Sequence, residues 1–177
     1  MKISRRKILI SGLAFGGILT GSNLASWSGQ EIDKNLSFFV PATGERETIT
    51  YWSGGVYLTD GVAAVNRILR DYKTDIIGSI SVKLLDILHS MLMSSDNYKE
   101  IEVVRGHIAV EANRVPFITD SPDAFHNAGR AIDIRAQGVD LGHLVEDIVR
   151  WFEGGIGIYP KKKFVHLDLG PSRRWIG

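Results

Sequence analysis

The chain has 177 residues, 44% apolar and 23% charged, with 19 Gly, 5 Pro, no Cys and a net charge of +1. That composition suits one packed domain and excludes a disordered chain, a collagen and a polytopic membrane protein. Without cysteine there is no disulfide framework, thiolate metal site or cysteine nucleophile, so chemistry falls to His, Asp, Glu, Ser or Lys.

Charge is spread unevenly. Lys2, Arg5, Arg6 and Lys7 precede an apolar run over residues 8–19, which Gly12, Gly16 and Gly17 loosen, and residues 1–25 contain no acid. A basic start, a short apolar stretch and small polar residues after it form the layout of a secretory signal peptide, assigned here to residues 1–30. The run is shorter than the ~20 residues of a spanning helix. Ser4-Arg5-Arg6-Lys7-Ile8-Leu9-Ile10 resembles the twin-arginine export signal, with Ile8 where an aromatic is usual; an ordinary export signal with an adjacent arginine pair is the alternative. Both place the domain over residues 31–177 in the periplasm, with no membrane span unless the signal is retained as an anchor. The remainder of the chain is net acidic and lacks the clustered positive surface that nucleic-acid binding requires.

Residues 36–40 and 45–52 read as strands joined by the turn Pro41-Ala42-Thr43-Gly44, a hairpin that Ser53-Gly54-Gly55 closes. Thr59-Asp60 offers a cap for a helix on Val62, Val65, Ile68 and Leu69, and Ser81 caps a second on Val82, Leu85, Leu88 and Leu92. A third helix is expected over residues 140–152 on Leu141, Leu144, Val145, Ile148 and Val149, stopped by Gly154-Gly155. Short β-prone runs lie at residues 101–104, 129–135, 156–159 and 164–169. Helices and strands are segregated more than they alternate, which predicts an α+β fold: an antiparallel sheet with helices packed on one side.

Of five histidines, His89 and His143 fall inside helical patterns, where a packed or solvated imidazole is the ordinary reading. His126 stands in a polar loop before the run Ala131-Ile132-Asp133-Ile134-Arg135. Strand alternation puts Asp133 on a polar face beside the small Ala131, with Ile132 and Ile134 toward the core. The same alternation in Val165-His166-Leu167-Asp168-Leu169 puts His166 and Asp168 on one face. If the two strands are neighbours, His126, Asp133 and His166 converge; if not, each merely carries a polar residue. Two neutral imidazoles and a carboxylate around an open fourth position are the ligand set of a hydrolytic zinc site, although other divalent ions tolerate the same donors. Asp168 is then placed either to accept a proton from the attacking water or to orient His166.

His126-x-x-Gly129-x-Ala131-x-Asp133-Ile134-Arg135, then Gly154-Gly155-Ile156-Gly157-x-Tyr159-Pro160, then Phe164-Val165-His166-Leu167-Asp168 resemble the murein endopeptidase K group of the zinc D,D-peptidases, which share a fold with the hedgehog signalling domain. The likeness extends from the Leu36 hairpin, where Phe39-x-x-x-Thr43-Gly44-Glu45 fits the opening, through Leu58 and Asn66-x-x-Leu69-Arg70-Asp71 to Trp175. It implies zinc held by His126, Asp133 and His166, and hydrolysis of cross-links between the stem peptides of peptidoglycan. The chain departs from the pattern at Gly106-His107-Ile108-Ala109, where such proteins carry a Gly-Tyr-Arg-Ser-like segment. Neither that Arg nor that Ser is present, and Arg105 and Arg114 are displaced from the position. A zinc-containing relative that binds murein or a cell-wall enzyme without cutting it is therefore the rival reading. Lys163 replaces an acid found in the wider superfamily. Lys161-Lys162-Lys163 reads either as an anion-attracting rim or as a solvated turn, and His107 either as a substrate contact or as a structural residue.

Overall fold

The computed structural model describes residues 32–94, 98–110 and 121–177. The export signal read at residues 1–30 lies outside the described residues, as do 111–113 and Arg114. In chain order the elements are β1 (Lys34–Val40), β2 (Glu45–Ser53), β3 (Val56–Tyr57), α1 (Thr59–Ile68), α2 (Val82–Met93), β4 (Ile101–Arg105), α3 (Pro122–Asn127), β5 (Ala131–Ala136), α4 (Leu141–Val149), β6 (Gly155–Tyr159), β7 (Phe164–Asp168) and β8 (Arg173–Ile176).

The strands form one sheet in the order β3-β2-β1-β4-β5-β7-β6-β8. The fold is α+β as expected, but the sheet is mixed, because β1 runs parallel to β4 and β6 parallel to β8. Each parallel pair has a topological cause. The helical stretch α1–α2 carries the chain from β3 back across the sheet, so β4 enters from the same end as β1. β8 follows β7 after a short connection but lies beyond β6, so in running back against β7 it runs with β6. Pattern reading missed β3 and β8, since a two-residue strand and an Arg-Arg-Trp-Ile run carry little alternation.

One core joins alternate strand residues (Leu36, Phe38, Val40, Ile132, Ile134, Val165, Leu167) to Leu84, Leu85 and Leu88 of α2 and to Leu144 and Ile148 of α4. With a side-chain period of two, burying Ile132, Ile134, Val165 and Leu167 on this face turns Asp133, His166 and Asp168 to the other. The short α3 packs there, against β5 and β7.

Helix starts are governed by local chemistry. The Asp140 carboxylate accepts from Gly142 N (2.7 Å) at the head of α4, which ends at Val149 and not at Phe152. Leu58, not Thr59-Asp60, occupies the cap position of α1, and Ser81 precedes α2 without a side-chain capping bond. The three lysines 161–163 are exposed in the β6–β7 turn. Arg135 donates to the carbonyls of Lys162 and Lys163 (both 3.0 Å), the structural behaviour of a turn.

Candidate metal centre

Register across the sheet lines up one transverse row. Asp133 of β5 pairs with His166 of β7, His166 pairs with Gly157 of β6, and Gly157 with Trp175 of β8. Residues directly opposite share a face, so Asp133 and His166 stand side by side about 5 Å apart along the strand-stacking direction. His126 arrives from above. It sits not in a loop but in the last turn of α3, because Ser121-Pro122 is a helix start: the Ser121 hydroxyl accepts from Ala124 N (3.2 Å), with proline just inside. Gly129 at φ +63 turns the chain from α3 into β5, and a Cβ there would strike the Ser79 carbonyl.

His126, Asp133 and His166 are 1%, 3% and 1% exposed. One ligand atom from each lies within 4.8 Å of the others. His126 Nε2 is 3.2 Å from Asp133 Oδ1 and 3.2 Å from His166 Nδ1, and His166 Nδ1 is 2.7 Å from Asp133 Oδ1. The outer ring nitrogens determine what these inner atoms can be. His126 Nδ1 is 2.6 Å from Gly106 O, which only accepts, so that nitrogen carries the proton. His166 Nε2 is 3.0 Å from Asp168 Oδ2, which as a carboxylate also accepts. Neutral imidazoles in these tautomers point their lone pairs inward, at each other and at a carboxylate oxygen. Three buried acceptors facing one another without a donor are unfavourable, and a cation at their centre removes the conflict. Two imidazoles, one carboxylate and outer partners that fix both tautomers suit a divalent metal such as zinc. The electrostatics show the same demand for positive charge. Burial pushes Asp133 up, but His126 and His166, were they protonated toward it in the absence of a cation, would overcome burial through hydrogen bonds and charge and hold the carboxyl far below the usual range. Burial pulls His166 down, yet Asp133 and Asp168 raise it overall.

Asp168 is fully buried and saturated. Oδ1 accepts from Arg173 Nη1 (2.9 Å) and Gly170 N (2.8 Å), and Oδ2 from Arg173 Nη2 (2.8 Å) and His166 Nε2. The Gly-Gly-x-Gly segment makes room for this. A Cβ on Gly155 would collide with the Asp168 carboxylate and Arg173, and one on Gly157 with the Trp175 indole, which tilts against His166 with ring centroids 5.4 Å apart. Sequence reading missed Arg173 and the Gly106 carbonyl. The first lies five residues past Asp168 with no motif of its own; the second is backbone.

Other sequence-predicted residues fall elsewhere. His107 packs against Gly78, and its Nδ1 lies 3.2 Å from the His126 carbonyl, which it supports from behind. His89 lies edge-on to Tyr51, and His143 lies on α4, both away from the cluster. Asp71 accepts from Ala109 N (3.0 Å) and Arg70 pairs with Glu45 (3.1 Å), so the opening motif and the α1 motif jointly brace the segment after β4.

A family model described as peptidoglycan L,D-endopeptidase MepK matches residues 30–175. The chain belongs to that family. The MepK proteins of Escherichia coli (strain K12) and Shigella flexneri are each 27% identical over 176 residues, 97% of this chain and 97% of theirs. A probable MepK of Haemophilus influenzae is 27% identical over 178 residues, 98% of this chain and 95% of its own. No solved structure matches. By the resemblance read from the sequence alone, Ile108 and Ala109 occupy places expected to hold Arg and Ser. No described helix is long and apolar enough to cross a membrane.

Proposed function

We propose that the protein is a zinc-dependent peptidase that cleaves peptide cross-links of peptidoglycan in the periplasm, where an export signal at residues 1–30 would deliver it. Inward-facing lone pairs on His126, Asp133 and His166 carry the reading, together with family membership. Between the D,D-cleavage implied by the wider resemblance and the L,D-cleavage in the family's name, we adopt the second.

When bound, zinc supplies a Lewis acid and a water acidic enough to attack at neutral pH. The chain's own residues do the rest. Gly106 O and Asp168 hold the two imidazoles in the tautomers that present His126 Nε2 and His166 Nδ1. Arg173, clamped on both oxygens of Asp168, keeps that carboxylate ionised and oriented. With four donors on two oxygens, Asp168 has no lone pair directed at substrate, so it serves as a positioning residue for His166. Trp175 walls the site on the side of β8, opposite Arg105.

Ile108 and Ala109 favour a second reading, a relative that binds murein without turnover, because loss of a positioned stabiliser of developing charge costs about 100-fold or more in rate. Incubation of the zinc-loaded protein with cross-linked muropeptides separates the two. Release of monomers that chelator and His166→Ala both abolish supports the peptidase. Stoichiometric zinc with sacculus binding and no release establishes the binder.

A further inference from the structure

We propose that Arg105 recognises a free carboxylate on the peptide substrate, at the edge of the metal centre. The inference deepens the peptidase reading and rests on it for the identity of the ligand as a stem peptide.

A register slip puts Arg105 there. Ile101, Glu102 and Val103 of β4 pair in step with Ala136, Arg135 and Ile134, which would bring Val104 opposite Asp133 and Arg105 opposite Ile132, on the core face. Instead the ladder shifts between Val103 and Arg105, and Arg105 pairs with Asp133. A bulge of this kind re-aims one side chain. Here it moves a guanidinium from the apolar face to the site face and extends the transverse row to Arg105, Asp133, His166, Gly157 and Trp175.

The partners of Arg105 are those of a group able to exchange them. Its Nη1 lies 3.1 Å from Asp123 Oδ1 and its Nε 3.6 Å from Asp133 Oδ2, and the two side chains of the Arg105–Asp123 pair are 44% and 64% exposed. Among the described residues, the other arginines beside the site are committed. Arg173 has both Nη groups on the buried Asp168, and Arg130 donates to Leu169 O (2.8 Å) while lying over the Phe125 ring. An exposed pair such as Arg105–Asp123 contributes little to folding, about 0–1 kcal/mol. A planar fork released from an exposed aspartate matches a carboxylate in two-point contact. Free carboxylates on stem peptides provide that group beside the bond to be cut.

The test is equilibrium binding of an uncross-linked stem tetrapeptide, with free carboxylates or fully amidated, to the metal-loaded protein by calorimetry. The wild type is expected to prefer the free acid on the order of tenfold, the worth of one charge-assisted hydrogen bond at a partly exposed site. Arg105→Gln should erase the preference while retaining metal stoichiometry and melting temperature. Arg105→Lys should keep part of it, and Asp123→Asn, which removes the competing carboxylate, should increase it. In steady-state cleavage Arg105→Gln should raise KM for the free acid with kcat little changed. Equal binding of acid and amide by the wild type overturns the proposal, as does equal weakening of both by Arg105→Gln or loss of metal from that variant. A clear preference without any cleavage would refute the peptidase reading and leave this one standing.

Discussion

Asp168→Asn separates positioning from proton transfer. Asp168 receives four donors on two oxygens: Arg173 twice, Gly170 N and His166 Nε2. Asparagine offers one oxygen and one NH2. If its oxygen faces His166, the NH2 confronts Arg173 Nη1 and Gly170 N, donors against a donor in a fully buried place. If the amide is turned over, the NH2 confronts His166 Nε2 and forces the imidazole proton onto Nδ1, where it eliminates the inward lone pair. In either orientation the charge pairing with Arg173, whose side chain is 31% exposed, is lost, a cost of about 1–3 kcal/mol. In the second, metal affinity falls by about 10- to 100-fold, the usual consequence of disturbing an outer partner of a ligating histidine. The assays are urea unfolding of the metal-free protein and zinc titration against a chromophoric chelator. A variant that folds and binds zinc like the wild type but has lost turnover would refute this reasoning and return Asp168 to the role of proton acceptor.

Gly157→Ala should displace the Trp175 indole and cost about 1–3 kcal/mol, measured by thermal unfolding with tryptophan fluorescence; unchanged stability would mean that β8 moves away freely. Removing metal with chelator should lower the melting temperature, and restoring it at about 100 times Kd should recover some 2.7 kcal/mol; identical melting with and without metal would contradict a site in the folded protein. Asp86 accepts from Lys34 Nζ (2.7 Å), Tyr57 (2.6 Å) and Tyr51 (3.0 Å). Burial pushes this carboxyl up, but those hydrogen bonds outweigh it and hold its folded pKa below the ordinary value. Its contribution is therefore complete above the unfolded value of about 3.9 and is lost as pH falls through the lower folded one. Urea midpoints below about pH 4 should drop less steeply in Asp86→Asn than in the wild type, and superimposable acid limbs would be contrary.

Period-two alternation made the site legible before the fold was. Ile132 and Ile134 flanking Asp133, and Val165 and Leu167 flanking His166, fix which face each polar residue takes, and their hydrophobicity is visible in the sequence alone. Pairing of β5 with β7 is not, because non-local partner choice depends on the whole sheet. The same limit explains the antiparallel expectation: β1–β4 and β6–β8 are set by where connections return, not by residues within the strands. His126 reads as a loop residue in the sequence because a six-residue helix is too short to develop periodicity, although Ser121-Pro122 signals a start. Groups that act through backbone or through register stayed hidden: the Gly106 carbonyl behind His126, Arg173 behind Asp168, and the bulge that turns Arg105 toward Asp133.

Anomalous diffraction at the zinc edge, from crystals of the zinc-loaded protein, tests the central claim most directly. We expect a single peak bonded to His126 Nε2, Asp133 and His166 Nδ1, with the opposite ring nitrogens still on Gly106 O and Asp168. Zinc elsewhere, or the three side chains ordered around a site that takes none at saturating metal, would contradict the account.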